Sequence, residues 1–152
     1  MRNIYLVLSA LVIFSCSGSS DSQVNLKESE NFLRVNSSNP DVIEIEKGLQ
    51  YKKIKSSGSG ISPNLDDIIN ADFHGTLLDG TVFWSSIENG EPLIVGLSQL
   101  IPGCQKAISL MEVGDSWKLF IHPKLAYGED GRPGIPANAL LIFEVTLNAI
   151  DT

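Results

Sequence analysis

The sequence predicts an α+β fold, a curved antiparallel sheet of about five strands wrapped around one short helix. Three observations carry this. From Ile69 onward, apolar Ile69, Ala71, Phe73, Gly75 and Leu77 alternate with Asn70, Asp72, His74 and Thr76, the period of a half-buried antiparallel strand. Asp79-Gly80 follows, a strong hairpin signal, and Thr81-Val82-Phe83-Trp84 returns. Further on, Cys104, Ala107, Ile108 and Met111 recur at helical spacing, giving one short helix that ends before Gly114.

The N-terminus has a separate character. Met1-Arg2-Asn3 is weakly positive, Ile4 to Phe14 is apolar almost throughout, and Ser15-Cys16-Ser17-Gly18 is small and polar. This reads as a secretory signal, too short to span a membrane. Ile13-Phe14-Ser15-Cys16 resembles a bacterial lipoprotein box, in which cleavage before the cysteine exposes it to acylation. Residues 1–15 are therefore assigned as signal peptide and Cys16 as the lipid attachment point. The plainer alternative is an ordinary signal peptide with an incidental cysteine. Several acyl chains on one residue anchor stably, at about 0.8 kcal/mol per buried methylene. With Cys16 lipidated, Cys104 has no partner, so no internal disulfide is expected.

Residues 16–47 read as a lipid-anchored tether. Ser17 to Gln23 is polar and Ser-rich, and Leu26 to Val35 suits a short helix whose strong apolar pair is Phe32 and Leu33. Asn39-Pro40 stops it. No long dimerisation helix is visible, and a monomer is expected. Asn36-Ser37-Ser38 fits a glycosylation sequon, which carries no weight behind a bacterial signal.

Residues 48–152 read as the folded domain. Gly48-Leu49-Gln50-Tyr51 starts a strand, and Ser56-Ser57-Gly58-Ser59-Gly60 is a turn. Leu93-Ile94-Val95 suits a short strand. Trp117, Leu119 and Ile121 alternate with Lys118 and Phe120, which places the latter two outward. A proline- and glycine-rich loop runs from Pro123 to Pro136. Leu141, Phe143, Val145 and Leu147 form the last buried strand face.

At 152 residues, 43% hydrophobic and 19% charged, the chain can bury a globular core. Its net charge of -7 has the wrong sign for nucleic acid or for electrostatic attachment to anionic lipid. Its two histidines, His74 and His122, lack metal-ligand spacing, so no metal site is expected. His74 reads as the solvent side of its strand. Cys104 and His122 could form a thiol nucleophile and base, but spacing alone gives that no support. A lone cysteine on an apolar helical face reads as a small buried hydrophobe. Gly58 and Gly60 lack the Lys-Ser/Thr of a phosphate loop.

What remains is an excess of aromatic and branched residues beside special loops. Gly75-Thr76-Leu77-Leu78-Asp79-Gly80-Thr81-Val82-Phe83, then Gly90-Glu91-Pro92-Leu93, then Leu100-Ile101-Pro102-Gly103 follow one another. Ala126-Tyr127-Gly128, Gly131-Arg132-Pro133-Gly134-Ile135-Pro136 and Phe143-Glu144-Val145 continue the series. In order and spacing these resemble FKBP-type prolyl isomerases. Asn31-Phe32-Leu33 and Gly48-Leu49-Gln50-Tyr51 are similar to the secreted bacterial branch that includes the macrophage infectivity potentiator proteins. The resemblance covers roughly residues 28–150.

The resemblance implies an aromatic pocket between sheet and helix. It assigns Phe73, Phe83, Ile101, Tyr127 and Phe143 to catalysis, and Trp84, Leu93, Leu100, Cys104 and Ile135 to substrate binding. The Ile101 backbone N–H and the Tyr127 hydroxyl would donate to substrate carbonyls. It implies no cofactor, proline-containing unfolded or nascent polypeptides as partners, and a lipid-anchored place in the cell envelope. Four positions depart from the family pattern. Trp84 stands where an aspartate is usual, Cys104 where a tryptophan forms the pocket floor, Phe73 where tyrosine is usual, and Leu93 where phenylalanine is frequent. These changes keep open an alternative: a non-catalytic chaperone or peptide-binding lipoprotein of the same fold.

Overall fold

The computed structural model describes residues 18–151. The segment assigned from sequence as signal peptide, residues 1–15, and Cys16 lie outside the described residues. The chain runs α1 (Gly18–Asn36), β1 (Val42–Glu46), β2 (Leu49–Lys55), β3 (Ile68–Thr76), β4 (Val82–Ser85), α2 (Ser86–Asn89) and β5 (Leu93–Gly96). It continues with α3 (Pro102–Ile108), β6 (Ser116–Ile121) and β7 (Leu141–Asp151). Among the described residues the strands form one seven-stranded sheet in the order β1-β2-β6-β7-β3-β4, with β5 also paired to β3. Every pairing is antiparallel.

The alternation in β3 has the expected consequence. Ile69, Ala71, Phe73 and Gly75 are buried while Ile68 faces solvent. Leu119 and Ile121 of β6 and Leu141, Phe143, Val145 and Leu147 of β7 join them on one face of the sheet. Against that face packs α3. Its Cys104, Ala107 and Ile108 are buried, with Met111 just beyond its end. Pro102 stands in the first turn of α3, where its missing N–H costs nothing. Gly103 lets the helix sit close to the sheet, because a Cβ there would collide with Cγ2 of Ile121.

Two parts of the sequence reading need correction. First, α1 runs the full 19 residues from Gly18 to Asn36, so Ser20 to Gln23 are helical, not a loose tether. No proline or further glycine interrupts that stretch, and the helix ends just before Asn39-Pro40. From Ser22 to Ser29 it is held by polar contacts. Buried Ser29 donates to the Asn138 carbonyl at 3.1 Å, Asn25 to the Ala137 carbonyl at 2.9 Å, and Asn138 to the Ser22 hydroxyl at 2.9 Å. Second, the segment before residue 48 adds a strand to the sheet formed by the residues after it. β1 is an edge strand of the main sheet. Buried Gln50 ties the region together, donating to the Leu33 carbonyl at 2.9 Å and accepting from Asn36 at 3.0 Å.

The same helix explains Phe120. Placed outward by its strand period, it is only 6% exposed. Leu33, Phe32 and Leu140 cover it, with the Phe32 and Phe120 ring centroids 5.6 Å apart. The sheet thus has apolar cover on both faces, α3 on one and α1 on the other.

Candidate functional site

A cavity of about 520 Å³ opens between β3, β4, β7 and the N-terminal end of α3. Phe73 of β3, Phe83 and Trp84 of β4, Leu93 of β5 and Phe143 of β7 line it from the sheet side. Leu100, Ile101 and Cys104 line it from the helix side, and Tyr127 and Ile135 from the long loop. The structure therefore brings all ten residues singled out by the resemblance around one space. Gln99, Arg132 and Pro133 also line it and were not foreseen.

The walls are aromatic rings locked edge to face. Phe143 meets Phe73 at 6.0 Å and 85°, and Phe83 at 5.3 Å and 88°. Such T-shaped pairs set positive ring edges against negative faces. Gly75 makes this packing possible. A Cβ at that position would lie 2.6 Å from Cζ of Phe83 and 2.8 Å from Cε1 of Phe143. Trp84 is 37% exposed and tilts against Phe73 with centroids 6.1 Å apart.

Hydroxyls that the motifs did not reveal position β3 and β4. The Ser86 hydroxyl accepts from the Phe73 N–H at 2.9 Å. The Ser85 hydroxyl caps α2 by accepting from the Glu88 N–H at 3.2 Å, and lies 3.0 Å from Nδ1 of His74. Two adjacent serines at the end of a strand are a helix-start signal that could have located this support. On the helix side, the Gln105 side chain donates to the Leu100 carbonyl at 2.6 Å and to the Ser98 carbonyl at 3.0 Å.

Two donors stand free at the cavity. Ile101 precedes the first turn of α3, and no group among the described residues accepts from its N–H. The Tyr127 hydroxyl accepts from Nη1 of Arg132 at 2.9 Å, which leaves its own proton to donate. The Arg132 guanidinium carbon also lies 5.0 Å from the Tyr127 ring centroid.

Acid–base and nucleophilic chemistry has little support here. No carboxylate lines the cavity among the described residues. Cys104 is 2% exposed, and burial pushes its thiol up to about 12, so it stays protonated at neutral pH. His122 lines a different cavity, with Glu30, Arg34 and Lys124. Burial, and then the charge of Lys124, holds His122 below its usual range. The thiol–imidazole pair considered from sequence is therefore not assembled. Among the described residues no three His, Cys, Asp or Glu side chains cluster as metal ligands.

Comparison with known proteins agrees with this geometry. Residues 59–148 match the model of the FKBP-type peptidyl-prolyl cis-trans isomerase domain, and residues 17–52 that of the domain amino terminal to it. The chain is 44% identical over 131 residues to the FKBP-type peptidyl-prolyl cis-trans isomerase FkpA of Aeromonas hydrophila, covering 86% of this chain and 48% of that protein. It is 41% identical over 127 residues to the peptidyl-prolyl cis-trans isomerase Mip of Coxiella burnetii, covering 83% and 55%. To the outer membrane protein MIP of Legionella longbeachae it is 39% identical, covering 83% and 54%. The chain thus spans about half the length of the curated relatives it matches. The crystal structure of FkpA from Escherichia coli superposes with a TM-score of 0.83 at 33% identity, covering 88% of this chain and 62% of that one. A peptidyl-prolyl cis-trans isomerase from Pseudomonas syringae superposes with a TM-score of 0.79 at 27% identity, covering 86% and 96%.

Proposed function

The chain belongs to the FKBP-type peptidyl-prolyl cis-trans isomerases, and from that premise we propose that it catalyses cis/trans exchange at Xaa–Pro bonds of unfolded or nascent polypeptides outside the cytoplasm. The observation that carries the reading is the apolar cavity of Phe73, Phe83 and Phe143 with two free donors, Ile101 N–H and Tyr127 O–H, at its edge.

The barrier to rotation about a peptide bond is about 18–20 kcal/mol, because resonance holds the bond planar. At Xaa–Pro bonds uncatalysed exchange takes tens to hundreds of seconds. Twisting the bond removes the resonance and reduces its charge separation. A dry aromatic cavity therefore suits the twisted state better than the planar one, and this difference is what lowers the barrier. The two donors hold the flanking backbone while the proline ring turns among the phenyl groups. Nothing in this scheme transfers a proton or forms a covalent bond.

The relatives named Mip, one of them an outer membrane protein, support a place in the cell envelope. Acylation of Cys16 would hold the domain there. The apolar contacts of Phe32 and Leu33 are made within the same chain, which supports a monomer. Magnetisation-exchange NMR on a short Leu-Pro peptide tests the proposal. Catalytic amounts of the chain are expected to accelerate cis/trans exchange. Exchange at the spontaneous rate would overturn the reading and leave peptide holding without turnover.

A further inference from the structure

The charge of the cavity is the feature that family membership does not explain. Among the described residues lining it, Arg132 is the only charged side chain. Everything else that a bound peptide would meet there is aromatic, aliphatic or neutral. A single cation at the rim of an apolar space is a selective element, because among the described residues no carboxylate lines the cavity or forms an ion pair with it.

Arg132 is also held in place. Its Nη1 donates to the Tyr127 hydroxyl at 2.9 Å and its guanidinium lies over the Tyr127 ring, 5.0 Å from the centroid. Its backbone closes a tight turn with Ile135, with N–H to carbonyl distances of 2.9 and 2.8 Å in the two directions. No carboxylate among the described residues forms an ion pair with it. A guanidinium has five N–H donors in a planar fork, and one bond to Tyr127 leaves most of them unused. A pre-oriented, unpaired fork beside a peptide cavity matches one ligand group above others, a carboxylate.

We propose that Arg132 makes this site select proline segments that carry an acidic residue next to the proline, the carboxylate being received by the free N–H groups of the guanidinium while the proline ring lies among Phe73, Phe83 and Phe143. The inference rests on the isomerase reading above and adds the substrate class to it. The side chain is exposed, so the pair is screened by salt and the preference is moderate. Exposed ion pairs correspond to roughly a two- to fivefold preference. The chain's overall negative charge opposes the approach of acidic peptides at long range, and added salt weakens that opposition and the local pair together.

The test uses the full chain and short peptides that differ only beside the proline, with Glu, Gln or Leu before it in one series and after it in the other. The readout is the ratio of kcat/KM for Glu over Gln, since these side chains differ in charge and hardly in size. Glu is expected to exceed Gln about two- to fivefold in at least one series. Arg132→Gln is expected to bring that ratio to about one and Arg132→Lys to retain part of it. Arg132→Glu is expected to invert it. Equal rates for Glu and Gln in both series, with Leu peptides still isomerised, would overturn the inference and leave the isomerase intact. A Glu preference that survives Arg132→Gln would overturn it equally. If no peptide of either series is isomerised, the isomerase reading itself has failed.

Discussion

Replacing Gly75 by alanine tests the aromatic site through the sign of a stability change. Gly75 lies in β3 with φ outside the left-handed region, so its backbone alone accepts any residue. At such a position Gly→Ala stabilises by about 0.4–1 kcal/mol, because the unfolded chain loses freedom. The rings reverse this. The new methyl would lie 2.6 Å from Phe83 and 2.8 Å from Phe143, against an ordinary carbon contact of about 3.5–4.0 Å. Both rings would have to retreat by about 1 Å within a packed T-shaped pair. Overpacking of this kind costs about 1–3 kcal/mol. The expected result is a net loss of about 1–2 kcal/mol in urea unfolding, with the fold retained. The rate should suffer more than the stability, since a displacement of about 1 Å in a positioning group can cost a hundredfold. In a double-mutant cycle, Gly75→Ala combined with Phe83→Leu is expected to recover stability relative to the sum of the single changes. A Gly75→Ala variant more stable than the parent and equally active would refute the close approach of these rings and the site built on it.

Three further predictions concern the floor, the pH response and the anchor. Cys104→Trp should raise kcat/KM by giving the proline ring a surface to rest on, with Trp84→Asp adding to the gain, each 1.36 kcal/mol being tenfold. Stability is measured in parallel, and a folded double variant no faster than the parent would show that these positions do not limit catalysis. Buried Asp115 is disfavoured by desolvation, yet bonds from the Ser57 and Glu112 N–H groups and from Nε1 of Trp117 outweigh this and hold its carboxyl below the usual range. Its folded pKa is therefore depressed. The stability it contributes is present above about pH 4 and is lost as pH falls through the folded value. Asp115→Asn should cost about 1.5–3 kcal/mol at pH 7 and flatten the loss of stability below pH 4, as read by urea unfolding across pH. Fatty-acid analogue labelling in cells should tag the chain and Cys16→Ala should remove the tag; a tagged Cys16→Ala chain would exclude acylation at that residue.

The sheet was legible where one face is buried and the other wet, as in β3 and β7, because period two then appears directly in the residues. It was less legible where a strand is covered on both sides. Phe120 was assigned to solvent because its cover, α1, comes from a distant segment. That helix was underestimated for a physical reason. Ser22, Asn25 and Ser29 attach it through hydrogen bonds to the Ala137-Asn138 turn, and polar contacts leave no apolar periodicity to read. β1 lost its signal in the same way. As a short edge strand it exposes Ile43 and half-buries Glu46, which blurs the alternation. The cavity lining was legible as a set only through the motifs, since each of Phe73, Phe83 and Phe143 alone looks like ordinary core. Arg132 was missed although it lies inside a quoted motif. Its importance comes from the bond to Tyr127, five residues away across a turn, which spacing alone does not reveal.

The central claim is that peptide binding in the aromatic cavity and acceleration of Xaa–Pro exchange are one event. A single NMR experiment on residues 18–152 with a short Leu-Pro peptide reads both, following cis/trans exchange in the peptide and shift changes in the protein. The account predicts accelerated exchange together with shifts at Phe73, Phe83, Ile101, Tyr127 and Phe143, and loss of both in Phe143→Ala while the domain stays folded. Accelerated exchange that persists in folded Phe143→Ala, or shifts confined to residues outside the cavity, would contradict it.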